Sequence, residues 1–177
     1  MFKAEKVLQI ITYLLSLNNN KMNKLKLMKE LYLIDRESIK ERNTSLSGDE
    51  FFSLPHGPVL SKTLNMINDI ADGNPWSEFL SLTGHDIELV KTAGTGRLSR
   101  NDRKYIEAIS AKYINTDRFA LADYTHTLPE WKDPGVSNIK IRFNSIMEAL
   151  NKSEEEIEAA KQEYDSITEI YNLLGIK

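Results

Sequence analysis

"NKLKLMKELYLIDRESIKER", residues 23–42, decides the fold. At about 100° per residue, Leu25, Leu27, Met28, Leu31, Tyr32, Ile34 and Ile39 gather on one half of a helical wheel. Lys26, Lys29, Glu30, Arg36, Glu37 and Lys40 occupy the other half. The pattern predicts an amphipathic helix that lays its apolar half on a core and keeps its charges in water. Asp35 departs from it, projecting into the middle of the apolar half. A carboxylate facing a core must find a partner or take up a proton. Asp35 therefore either bonds locally, to a backbone N–H for example, or orients a histidine or arginine.

Upstream, Val7, Ile10, Ile11, Leu14 and Leu15 recur at helical spacing, so residues 3–17 read as a helix that "NNNKMN" interrupts. The same run loosely imitates a secretory signal. Glu5, Gln9, Thr12 and Tyr13 interrupt it, no small-residue cleavage site follows, and it is too short to span a bilayer.

Downstream, "SLSGDEFFSLPHGPV" carries a turn at Ser47–Asp49 and then aromatic residues suited to a strand near 48–54. Pro55 and Pro58 exclude a helix through the turn and leave His56 few shapes. Helical spacing returns with Val59, Leu64, Ile67 and Ile70, with Pro58 placed for the first turn. "HDIELVKT" alternates as a strand near 86–92 would, and "SNIKIRF" suits a further strand. Ser99 and Thr116 are expected to cap helices at 100–115 and 117–127, and Phe119, Ala122, Asp123 and His126 share a face of the second. Ser153 opens a last helix whose stripe comprises Ile157, Ala160, Tyr164, Ile167, Tyr171 and Leu174. That stripe either closes the protein's own core or, through Tyr164, Ile167, Tyr171 and Leu174, offers a handle to a partner.

The fold class expected is mainly α with a small minor β-sheet, in one helical bundle. The domain takes residues 1–152, and the helix at 153–177 packs on it or extends it. The 177 residues, 41% hydrophobic and 28% charged, suit a globular chain with a real core. A net charge of −3 gives no global attraction for nucleic acid, and the absence of cysteine excludes disulfides, thiolate catalysis and cysteine-ligated metals. A cytoplasmic setting fits that absence.

Chemistry-bearing residues are few. There are three histidines and scattered carboxylates, with no nucleophile elbow, kinase signature, phosphate loop or metal-ligand spacing, so no cofactor and no metal is expected. A hydrolase site would have to be assembled in space from Asp35, His56 and His126, with Asp49 or Asp123 orienting them. Lys21, Lys24, Lys26 and Lys29 form a small basic patch where two helices flank "NNN", the outline of a DNA-binding regulator. Glu30 and Glu37 dilute that patch, and no stacking platform accompanies it, which argues against nucleic acid. Our preferred reading gathers Asp35, His56 and His126 into one buried polar cluster that holds a rigid corner.

Two blocks of this sequence resemble the Panacea domain of SocA-like antitoxins. One is "KLMKELYLIDRESIKERNTSLSGDEFFSLPHGPVLSKTLNMI"; the other is "LSRNDRKYIEAISAKYINTDRFALADYTHTLPEW". The matching positions are Asp35, Arg36, Gly48, Asp49, Pro55, His56, Gly57, Pro58, Thr125, His126 and Trp131. The resemblance implies a non-enzymatic antitoxin, often borne on a prophage. It would neutralise a cognate protein toxin encoded by an adjacent gene through direct protein–protein interaction in a toxin–antitoxin system, without a membrane. It leaves self-association open, and it leaves open whether these residues touch the toxin or hold the domain together.

Overall fold

A computed structural model of the chain describes residues 1–173. In chain order the elements are α1 (Ala4–Leu17), β1 (Lys21–Asn23), α2 (Lys24–Arg42), β2 (Phe51–Leu54), β3 (Gly57–Leu60), α3 (Ser61–Asn68), β4 (Leu80–Thr83), β5 (Asp86–Leu89), α4 (Arg100–Tyr113), α5 (Arg118–His126), β6 (Ile139–Ile141), α6 (Phe143–Ala149) and α7 (Glu154–Leu173). The fold is predominantly helical with minor β structure, as expected.

α2 begins where the Asn23 side chain accepts from the Leu25 N–H, and it ends at Asn43, whose left-handed backbone returns its N–H to Ile39. Lys40 and Arg42 sit in its last turn, where cations complement the helix dipole. Every residue from Leu27 to Asp35 is buried, so the middle of α2 has no wet face. α4, α5, α6, β1 and β3 all pack around it. The charged half expected of this helix is therefore corrected at Lys29 and Glu30, both fully buried. A helix enclosed on all sides offers solvent only at its ends, and a wheel drawn for a surface helix cannot register that.

The strands form two antiparallel three-stranded sheets, ordered β1–β5–β4 and β3–β2–β6. In the first, Met22 pairs with Ile87. In the second, Phe51 pairs with Leu60 on one side and Ile141 on the other. The strands expected near 48–54 and 86–92 are present as β2 and β5, and β6 falls within "SNIKIRF". β1, β3 and β4 were not anticipated. Pro58 lies in β3 and not in a helix, and α3 starts only at Ser61. An edge strand tolerates a proline because one side of its ladder is unpaired. Asp117, not Thr116, caps α5, accepting from the N–H groups of Phe119 and Ala120. Ser99 and Asp102 form a reciprocal capping box on α4, and Ser153 accepts from the Glu156 N–H at the start of α7. Ile157 and Ala160 of α7 pack on the core. The Tyr164, Ile167 and Tyr171 side chains, and all of Leu174, lie outside the described residues.

Candidate functional site

Asp35 is about two turns from the end of α2 and fully enclosed. Its carboxylate accepts from the Leu46 N–H at 2.5 Å, the Ser47 N–H at 3.2 Å and the Ser45 hydroxyl at 3.0 Å, and also from the Ser47 hydroxyl. Burial pushes its pKa up, and these bonds pull against that shift. A void beside Asp35 and Ser47 measures about 10 Å³, no larger than a water. This carboxylate thus holds the loop after α2 in place.

Asp49 does the same for α3. Leu60, at the N-cap position of that helix, offers no capping side chain. Asp49 instead accepts from the N–H groups of Lys62 at 2.9 Å and Thr63 at 2.8 Å, and from the Thr63 hydroxyl at 2.7 Å. An anion at a helix N-terminus is favoured by both the free N–H groups and the dipole. Between the two aspartates, Gly48 adopts φ of +62°, and a Cβ there would collide with the Met1 carbonyl.

The second group surrounds the turn between β2 and β3. Leu54 pairs with Gly57, so Pro55 and His56 are the two residues of the turn. Both are exposed. Gly57 has φ of +97°, and a Cβ on it would stand 2.5 Å from the Thr125 hydroxyl and 3.1 Å from the Lys29 ammonium. Lys29 donates to the Pro58 carbonyl at 2.9 Å, its one hydrogen bond among the described residues. Burial pulls its pKa down to about 7.

Beyond Thr125, the His126 ring stacks on Trp131 with centroids 4.3 Å apart, and the indole N–H donates to the Leu54 carbonyl at 3.3 Å. Next to Trp131, the buried Glu130 accepts from the Tyr32 hydroxyl at 2.9 Å and from Nε and Nη2 of Arg36, at 2.6 and 3.3 Å. The guanidinium thus grips the carboxylate at two points. "LPEW" is thereby fastened to α2 and to the hairpin at once.

A family model described as antitoxin SocA-like, Panacea domain, matches residues 27–132. The chain belongs to this family. Comparison with curated proteins and with solved structures gives no match. The matched span runs from the buried core of α2 to just past Trp131, the interval over which both groups of bonds are made.

Within this Panacea domain the signature residues form two clusters along α2, not one. The expected association of Asp35 with His56 and His126 is absent. Asp35 is bonded to Ser45–Ser47, His56 faces solvent, and His126 is against Trp131. Asp123 is exposed on α5 and orients neither histidine. The expected basic patch is likewise spent internally. Lys21 pairs with Glu88 at 2.7 Å, Lys24 bonds Asn68, Lys26 bonds the Ile114 carbonyl and Lys29 is buried. Sequence reasoning missed Lys29, Tyr32 and Glu130. Tyr32 and Arg36 stand four apart, a spacing that puts both on one face toward a common acceptor, and this was the available signal. Among the described residues no helix is long and apolar enough to cross a membrane, and no group of His, Asp and Glu could hold a metal.

Proposed function

We infer that this Panacea domain acts as the antitoxin of a toxin–antitoxin pair, neutralising a protein toxin by direct contact and without catalysis. Membership of the SocA-like antitoxin family is the observation that carries this reading. The chemistry of the signature residues supports it. Asp35, Asp49 and Arg36 are committed to bonds within the chain, which fits residues that keep a binding surface pre-organised and so lower the ordering cost of association. A hydrolase built on Asp35, His56 and His126 finds no support, because Asp35 is bonded to residues 45–47, His56 is exposed and His126 stacks on Trp131.

Co-expression tests the reading. The adjacent open reading frame is placed under an inducible promoter, with and without this chain. Induction is expected to kill cells lacking the chain and to spare those that express it, and the tagged chain should retain the neighbour's product on a column. A harmless neighbour, or rescue without retention, would overturn direct neutralisation.

A further inference from the structure

Charge is unevenly spread over this acidic chain. Residues 100–118 carry five cations, Arg100, Arg103, Lys104, Lys112 and Arg118, all exposed and none in an ion pair among the described residues. The acids of the same stretch are fewer, with Asp102 buried and Glu107 and Asp117 left as two exposed carboxylates against the five cations. Asp102 is buried and held by Lys6 at 2.8 Å and Arg42 at 2.9 Å, Glu107 accepts from the Tyr13 hydroxyl, and Asp117 caps α5. Asp123, one turn beyond Phe119, is the free carboxylate at this corner. A chain of net charge −3 therefore presents a positive face along α4, a helix about 20 Å long.

Large apolar residues are exposed where α4 gives way to α5. Ile114, Phe119 and Tyr124 are 48%, 55% and 40% exposed, whereas single exposed apolar residues are ordinarily scattered. They are set around a fixed frame. The Tyr113 and Tyr124 rings lie 5.8 Å apart, Lys112 sits over both, and Arg118 lies over Phe119 at 4.7 Å. These cations cover ring faces that a nucleic-acid base would need for stacking. They leave ring edges and a rim of charge, the composition of a protein-docking surface with aromatic and arginine anchors.

We propose that the exposed face of α4 and its corner with α5 dock an acidic segment of the partner protein. Carboxylates of that segment meet Arg103, Lys104 and Lys112, and an apolar side chain packs against Ile114 and Phe119. The assignment rests on the antitoxin reading only for the partner's identity as a toxin; the chemistry of the partner follows from the surface.

The experiment has two arms. In the first, fluorescein-labelled poly-L-glutamate and a single-stranded oligonucleotide of similar charge are titrated with the full chain at about 20 mM salt, where screening extends over about 20 Å. The glutamate polymer is expected to bind, to lose at least tenfold in affinity at about 300 mM salt, and to be lost in the triple variant Arg103→Glu, Lys104→Glu, Lys112→Glu. The control variant Lys62→Glu, Arg142→Glu should bind as the native chain does. Failure of the polymer to bind, equal binding by the triple variant, or tighter binding of the oligonucleotide overturns the proposal. In the second arm the triple variant and Phe119→Ser are tested for rescue, with circular dichroism melts to verify folding. Folded variants that still rescue overturn it. If the native chain itself fails to rescue while the first arm succeeds, the antitoxin reading falls and the acidic-partner surface stands.

Discussion

Glu30 shows what a single enclosed side chain can do. It is fully buried, neither carboxylate oxygen has a hydrogen-bond partner, and Lys26 stands 3.9 Å away. Burial raises its pKa from 4.5 to about 7. The folded state thus holds this proton more tightly than the unfolded state. Below 4.5 both states are protonated and folding costs nothing here; between 4.5 and about 7 the unfolded chain gains by ionising and stability falls as pH rises. The full loss is on the order of 3 kcal/mol. Lys29 has the opposite slope, because its pKa is lowered from 10.5 to about 7 and stability falls as pH drops through that interval. The two slopes place the pair's least favourable contribution near neutrality. Glu30→Leu should therefore stabilise the chain at neutral pH and remove its stability loss between 4.5 and about 7, read by urea unfolding across that range. Gly57→Ala should destabilise, by about 2 kcal/mol or more, since φ of +97° and the Thr125 hydroxyl both oppose a Cβ. In a Thr125→Ala background the same substitution should cost less, and a double-mutant cycle measures the difference.

Helices and strands reveal which part of the fold was written locally. Caps were: Ser99 and Ser153 lie at the starts the sequence marked. The cap of α3 was not, because Asp49 reaches it from β2's side of a hairpin, and no local pattern encodes a partner thirteen residues away. Asp49→Ala should accordingly cost about 2 kcal/mol in urea unfolding, with Asn recovering part of it. α2 was placed to within a residue or two, yet its charged half was misread. Spacing reports amphipathicity relative to one neighbour and cannot foresee packing on every side. Short strands such as β1 and β4 escape for a related reason: three or four residues contain too little alternation to stand out, and their pairing with β5 supplies what the sequence does not. At the site, the identity of the signature residues was legible while their grouping was not. Asp35 looked available to a histidine, and only the path of residues 45–47 shows that its lone pairs are already taken.

For the whole molecule, the limits of the family match and the limits of the packed body do not coincide. The match begins at residue 27 and stops at 132. Yet Val7, Ile11, Leu14 and Leu15 of α1 are buried in the common core, and β6 at 139–141 completes the sheet begun by β2. Ile146 and Met147 of α6 are enclosed with them. A fragment confined to 27–132 should lack a cooperative melt by circular dichroism, whereas a chain truncated after residue 163, which keeps Ile157 and Ala160, should retain one. The span that the family model covers is thus smaller than the packed body. An engineer grafting this domain onto a new scaffold would have to carry α1 and β6 as well. Otherwise the graft would leave behind the strand that completes one sheet and the helix that packs on the other.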